Sequence, residues 1–249
     1  MPELAFDGLG ADALAARLGL PACLLHDRVA STMDLAHAAA GRGAEAGTLV
    51  LAQAQDAGRG RGGKRWHSPS GGGLWMTLIE RPATSSGIEV LSLRIGLRLA
   101  DALDPLAGDR VRLKWPNDLF TGGGKLAGIL VEARWRDQRV EWVAIGLGVN
   151  VAAPTAVEGA AGLAPGVTRL QALDQIVPAL RSAAAAVDGR LTPSEMARFA
   201  MRDLGIGRSI TQPAVGVVAG VGASGELMVD TARGPVACRT GSLVFAEDR

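Results

Sequence analysis

The sequence predicts an α/β (α+β) chain followed by a small all-β unit. Two observations carry that prediction. Between residues 31 and 204, apolar runs of strand length alternate with stretches at helical spacing. From 205 onward the texture changes to brief apolar runs (AVGVVAGV, LMVD, VACR, SLVFAE) separated by glycine turns. A boundary is therefore expected near 205, dividing the chain into 1–204 and 205–249.

The elements follow in order. Ser31-Thr-Met-Asp34 opens LAHAAA, a good helix former, and Ser31 at the N-cap with Asp34 three residues on makes a capping box. TLVLAQAQ (48–55) and GLWMTLIER (73–81) read as strands. Over 88–107, Ile88, Leu91, Ile95, Leu99 and Leu103 recur at helical spacing, with Arg94 and Arg98 on the other side. RVRLKW (110–115) alternates as a strand should, and Pro116 ends it with Asn117 and Asp118 in a turn. KLAGILVEARW (125–135) and VEWVAIGLGVN (140–150) read as two strands around the polar turn RDQR. An Ala/Gly/Pro-rich connection leads to a helix over 171–189, despite Pro178, and Pro193 starts another that runs to about Leu204.

Composition narrows the class. The chain has 249 residues, 48% of them hydrophobic, enough for a proper core. A net charge of +1 supplies no basic field for nucleic acid. Cys23 and Cys238 are the only cysteines, which suggests no disulfide framework and fits a reducing cytoplasm. The N-terminus lacks the apolar core of a signal peptide, and no apolar run approaches the roughly 20 residues a membrane helix needs. A soluble cytoplasmic protein is expected. The only lysines (Lys64, Lys114, Lys125) and asparagines (Asn117, Asn150) all fall between 64 and 150, which marks that stretch as the chemical half.

Its loudest segment is GRGRGGKRWHSPSGGG (58–73). Gly58, Gly60 and Gly63 fit a dinucleotide fingerprint, but no helix can start in the following KRWHSPSGGG to receive a pyrophosphate. Gly58, Gly63 and Lys64 fit most of a P-loop, but Arg65 stands where the Mg²⁺-holding Ser or Thr belongs. Arg/Gly-rich nucleic-acid arms belong to disordered tracts, whereas this one is bracketed by two strands. What remains is a lid-like loop whose backbone N–H groups and Arg59, Arg61, Lys64 and Arg65 suit an anionic, phosphate-bearing ligand. The second constellation is Lys114-Trp-Pro-Asn-Asp118 followed by Lys125-Leu-Ala-Gly-Ile-Leu-Val-Glu132. There Asp118 can position Mg²⁺ or a nucleotide group, and Lys125 can face a carboxylate or phosphate. No convincing Ser/His/Asp or Cys/His set accompanies them.

Gln55-Asp-Ala-GRGRGGKRWHSPSGGGLWMT, KWPND and KLAGILVE together resemble biotin–protein ligase, strongly over 28–150, more vaguely over the helices to 204, and weakly beyond. The resemblance implies a mixed-sheet catalytic domain with a small SH3-like β-barrel after it. It implies a reaction in two steps: biotin and ATP, with Mg²⁺, give biotinyl-5′-AMP, and a lysine of a biotin carboxyl carrier protein takes the biotinyl group. Ser31, Thr32, Met33 and Gln55 match positions around biotin. Arg59, Gly60 and Arg61 match the loop that holds the adenylate. Lys125 matches the lysine beside the biotin carboxylate and α-phosphate, and with Arg61 and Asp118 it forms the expected catalytic set. Trp66 matches the adenine side, and Asn117, Asp118 and Asn150 match nucleotide or metal contacts, with Asp118 the expected Mg²⁺ ligand.

The departures are specific. Met33 stands where the family usually has Asn, Lys64 replaces a usual Arg, and the ending TGSLVFAEDR matches poorly. Only about thirty residues precede Ser31, too few for the helix-turn-helix domain that some members carry, so no DNA-binding role is expected. By analogy alone the family suggests a homodimer through a sheet edge. The rival readings are a lipoate–protein ligase, which SGGGLW resembles, a catalytically inactive biotin-binding homologue, and a nucleic-acid module, which near-zero charge and 4% aromatics oppose.

Overall fold

The computed structural model describes residues 4–186 and 188–248. A short helix, α1 (Ala11–Leu18), precedes β1 (Cys23–Val29), α2 (Thr32–Gly41), β2 (Leu49–Gln55) and β3 (Gly73–Glu80). Next come α3 (Leu91–Ala107), β4 (Arg112–Lys114), β5 (Asp118–Thr121), β6 (Gly124–Arg136) and β7 (Arg139–Asn150). Helices α4 (Arg169–Ala184) and α5 (Pro193–Arg202) follow. The first seven strands form one sheet in the order β1-β2-β3-β7-β6-β5-β4. Only β1 and β2 run parallel, so the sheet is mixed. A separate antiparallel sheet holds β8 (Ser209–Gln212), β9 (Gly216–Val221), β10 (Leu227–Thr231), β11 (Gly234–Cys238) and β12 (Val244–Phe245).

Alternation along the central strands sorts residues onto two unlike faces. On β3 and β7 the pairs Leu78–Ile145, Met76–Leu147 and Leu74–Val149 are bulky and join the main core with α1, α3 and α4. The opposite face carries Ile79–Ala144, Thr77–Gly146 and Trp75–Gly148, and continues on β6 with Leu130 and Gly128. Helix α2 covers only part of that face, setting Ala36, Ala39 and Ala40 on Val50, Ile79 and Ala144. Toward the glycine end α2 reaches as far as Gly146, where Met33 lies.

Several expectations are corrected. Arg94 is not on an open face: α3 packs against the sheet and against α4 and α5, and Arg94 is 3% exposed. Its Nε donates to Glu195 Oε1 at 2.9 Å and its Nη1 to the Asp188 carbonyl at 2.6 Å, which satisfies a buried cation. Ser31 Oγ accepts from the Met33 N–H at 3.3 Å, but Asp34 does not complete a capping box, because Arg59 takes its carboxylate. True capping boxes occur at Thr168–Gln171 and Thr192–Glu195. The expected 171–189 helix runs from Arg169 to Ala184. Elements α1, β1 and β5 had no clear signal of their own.

The second sheet meets the first beside α5. The Leu204 N–H donates to the Leu113 carbonyl at 2.8 Å, and Trp115 Nε1 donates to the Gly225 carbonyl at 3.0 Å. Asp203 sits at this junction, 1% exposed. Its Oδ1 accepts from the Gly205 N–H at 2.8 Å, while Oδ2 has no hydrogen-bond partner among the described residues. Burial pushes this carboxyl from its ordinary 3.8 up to about 6, against the opposing Gly205 N–H and Arg112 charge. The folded chain thus holds the proton more tightly than the unfolded one. That contribution to stability is complete below the ordinary value and is lost as pH rises through about 6. Asp203→Asn stays neutral and keeps an acceptor for Gly205. It is expected to exceed the parent's stability by about 1–2 kcal/mol at pH 8, with the gap closing toward pH 4. Urea unfolding across that range checks this, and a gap independent of pH would show that Asp203 does not titrate there.

Candidate active site

The glycine face is the floor of a cleft roofed by the loop of residues 58–66. Those residues fold as a narrow hairpin: Gly60 N–H donates to the Lys64 carbonyl at 2.8 Å and Trp66 N–H to the Gly58 carbonyl at 2.9 Å. Trp66 lies on the floor. A Cβ at Gly148 would come 2.3 Å from Trp66 Nε1, and one at Gly128, its cross-strand partner, 2.9 Å from Cζ3. Only glycine at both positions lets the indole down. Trp66 Nε1 is buried without an acceptor among the described residues, an orphan donor at the bottom of the cleft. At the inner end a Cβ on Gly146 would meet Met33 Cε at 2.6 Å, so Met33 closes that end with a thioether.

Beside Met33 stands a directed hydrogen-bond chain. The Thr32 N–H can only donate, so Gln55 Oε1, 2.9 Å away, is the accepting oxygen, and this fixes the amide orientation. Thr32 Oγ1 lies 3.1 Å from the same oxygen and 2.9 Å from Thr77 Oγ1. Gln55 Nε2 donates to Ser68 Oγ at 2.9 Å, and Ser68 donates on to the Trp66 carbonyl at 3.2 Å. Ser31 Oγ accepts from the Met33 N–H, which leaves its own proton for a ligand.

The other end is charged. Lys125 Nζ lies 2.8 Å from Asp118 Oδ1 and 5.1 Å from the centre of the Trp66 ring. Its direction depends on an irregularity. In a regular strand Lys125 and Gly128 would face opposite ways, since they are three residues apart. The β5–β6 pairing slips between Leu119 and Phe120, so that Asp118 opposes Gly128 while Phe120 opposes Lys125. This bulge turns Lys125 onto the glycine face. Arg61 reaches the cleft from the roof and makes no side-chain hydrogen bond or ion pair with any described residue. Burial lowers its pKa, with Asp118 opposing, the mark of a desolvated cation.

The cleft brings together Ser31, Thr32, Met33, Gln55, Arg59, Gly60, Arg61, Trp66, Asn117, Asp118 and Lys125. Asn150 lines an adjoining cavity beyond Trp66, with Arg65, His67 and Lys125. Two members of the set are held by the backbone: Asn117 Nδ2 donates to the Ile129 carbonyl at 2.8 Å and Asn150 Nδ2 to the Lys125 carbonyl at 3.2 Å. Arg59 does not offer a free cation, because its two Nη atoms lie 2.7 Å from Asp34 and 2.6 Å from Glu132. Thr77, Ser68, Gly128, Gly146, Gly148 and Ser242 complete the cleft and its hydrogen-bond chain and were not singled out in the sequence. A polar Thr77 in an apolar strand, and Gly146 and Gly148 spaced by two in VAIGLGVN, are the signal that was there.

The indole seat makes a direct prediction. Gly148→Ala is expected to lower stability by about 1–3 kcal/mol through overpacking against Trp66. In a Trp66→Ala background the same change should be nearly neutral. Denaturation of the four proteins checks this, and an equal penalty in both backgrounds would place the clash elsewhere.

The chain compares closely with known proteins. Residues 25–150 match the Biotin/lipoate A/B protein ligase family. A biotin–[acetyl-CoA-carboxylase] ligase of Paracoccus denitrificans is 36% identical over 207 residues, covering 75% of this chain and 84% of that one. The bifunctional ligase/repressor BirA of Bacillus subtilis is 41% identical over 129 residues, covering 51% of this chain and 40% of that protein. The match thus spans less than half the length of the BirA relatives. The fold matches a biotin protein ligase from Aquifex aeolicus solved with biotin and ATP: TM-score 0.73 and 21% identity, over 89% of this chain and 97% of that chain. The mixed sheet is that of the ligase catalytic fold, and the second sheet is compatible with an SH3-like unit. On the matched residues and on the length shared with the Paracoccus protein, the chain belongs to the biotin/lipoate A/B protein ligase family.

Proposed function

We propose that the protein ligates biotin to a lysine of a biotin carboxyl carrier protein at the expense of ATP, through biotinyl-5′-AMP. The observation that carries this reading is a single cleft with a neutral hydrogen-bonding end at Thr32–Gln55 and a cationic end at Lys125 and Arg61. A cyclic urea fits the first end and a carboxylate beside a phosphate fits the second. Ser31, Thr32 and Gln55 hold the ureido ring, and Met33 packs at the inner end. Arg61, the Gly60 backbone and Lys125 gather the carboxylate and α-phosphate. Trp66, Asn117 and Asn150 shape the nucleotide side.

The chemistry then needs no nucleophilic side chain. A biotin carboxylate oxygen attacks the α-phosphorus, the bond to the bridging oxygen breaks, and pyrophosphate leaves with the electron pair. Lys125 and Arg61 offset the repulsion between the two anions and the charge that builds on the phosphoryl oxygens. In the second step the carrier's lysine amine attacks the acyl carbon, AMP leaves, and the nitrogen loses its proton. The roof keeps water from the mixed anhydride.

Among the described residues Asp118 is the one carboxylate that lines the cleft, and no group of three or more metal-ligating side chains is present. That suits Mg²⁺ carried on the triphosphate with Asp118 as its protein ligand. Bound there, Mg²⁺ would neutralise phosphate charge. The reading divides the chain into a catalytic unit over 1–204 and a C-terminal unit over 205–249, in keeping with the two sheets. It places the reaction in a reducing cytoplasm, in keeping with two free cysteines, and no helix among the described residues is long and apolar enough to cross a membrane. A second copy would meet the chain along an edge of the large sheet, β1 or β4.

ATP–pyrophosphate exchange with biotin, with lipoate and with neither tests the reading. Exchange with biotin alone is expected, exchange with lipoate would move the protein to the other branch of the family, and exchange with neither would end the proposal. Lys125→Ala is expected to lower the biotin-dependent exchange by about 100–1,000-fold, the scale of one lost electrostatic donor. Near-parental exchange would take Lys125 out of the reaction. Arg61→Gly should release the adenylate early and label lysines on bystander proteins, read by mass spectrometry. Labelling confined to the carrier would mean that Arg61 does not retain it.

A further inference from the structure

We propose that Asp34 and Glu132 latch the Gly/Arg loop through Arg59, which makes Arg59 a positioning residue rather than a ligand for the anion. The guanidinium fork spans two carboxylates on different elements: Nη1 to Asp34 on the first turn of α2 and Nη2 to Glu132 on β6. These elements frame the cleft, so one side chain ties the roof to both. Glu132 reaches α2 because it sits opposite Ala144, on the sheet face that α2 covers.

Glu132 is itself held. Its Oε2 lies 2.9 Å from His37 Nε2, and His37 Nδ1 lies 3.0 Å from Trp142 Nε1. The indole N–H can only donate, so Nδ1 accepts and Nε2 carries the proton to Glu132. Donation thus converges on Glu132, from Trp142 through His37 on the sheet side and from Arg59 on the loop side.

A pull on Arg59 is a pull on the whole roof. Arg59 pairs with Arg65 across the hairpin, and its neighbours Gly58 and Gly60 bond to Trp66 and Lys64. Gly58 has no slack, since a Cβ there would lie 2.5 Å from the Trp66 carbonyl oxygen. Two carboxylates also cancel the field that Arg59 would present to another anion. Arg61, two residues on, has no such partner. The loop therefore divides its arginines between holding itself and holding the ligand.

Limited trypsin digestion of the ligand-free protein tests the latch, because Arg59, Arg61, Lys64 and Arg65 are all cleavage sites in the loop. Asp34→Asn and Glu132→Gln keep those sites. Each is expected to speed cleavage within the loop about two- to fivefold, the range for one exposed ion pair, with the unfolding midpoint unchanged. A second readout rests on the proposed reaction: escape of preformed acyl adenylate into solution, which a merely structural contact would leave alone, should quicken by a similar factor. Loop cleavage at the parental rate in both variants, or faster cleavage spread over the whole chain, would overturn the latch. So would unchanged adenylate escape in both. If the parent shows no biotin-dependent pyrophosphate exchange, the proposed reaction fails, and loop cleavage alone still decides the latch.

Discussion

Everything in the cleft rests on an imbalance between the two faces of one sheet. The face toward α1, α3 and α4 is packed with leucine, isoleucine and valine, and it holds the fold together. The other face needs cover only where Val50, Ile79 and Ala144 lie, and the small side chains of α2 supply it. Beyond that point Gly128, Gly146 and Gly148 expose backbone rather than apolar side chains. An indole and a thioether settle there because nothing else stands in the way. Larger residues at those positions would collide with the Trp66 indole and the Met33 methyl.

The charges are arranged by the same geometry. Asp118 and Lys125 face each other because a bulge turns one strand by a single residue, so the cation reaches the floor from the strand that also supplies Gly128. Arg61 enters from above, partly desolvated and without a close partner. Such a cation is uncomfortable until an anion joins it. A carboxylate and a phosphate brought side by side have the converse problem. The proposed adenylation would rest on that pairing rather than on a nucleophilic side chain.

Much of this was legible in the sequence. The strands at 48–55 and 73–81, the hairpin over 125–150 and the helix started by Pro193 follow from alternation and from turn chemistry, which are local. Arg59, Arg61, Lys64, Arg65 and Trp66 of the first motif and Asn117, Asp118 and Lys125 of the second line one cleft, whereas Lys114 lies by the ring of Phe245. What escaped is relational. Arg94 reads as a surface residue by helical spacing, yet α5 supplies Glu195 from a hundred residues away and buries it. Asp34 reads as half of a capping box, yet Arg59 draws it toward the loop. Arg59 reads as an anion ligand, and only the fold shows that two carboxylates already flank it. The glycines of the floor were visible, but nothing local told them from turn glycines until β6 and β7 were laid side by side.

The two sheets are joined in part at β4 and the turn that leads from it to Asp118. Trp115 binds the Gly225 carbonyl of the second sheet, and Lys114 sits 4.8 Å from the ring of Phe245 on β12. Immediately after them, Asn117 is stitched to Ile129 of β6 through two hydrogen bonds, its own Nδ2 to the Ile129 carbonyl and the Ile129 N–H to its carbonyl. Asp118 then begins β5 and meets Lys125. Five consecutive residues thus run from the C-terminal sheet to the charged end of the cleft. Ser242, from the same C-terminal sheet region, lines the cleft directly. The second sheet is therefore part of the frame that holds Asp118 against Lys125.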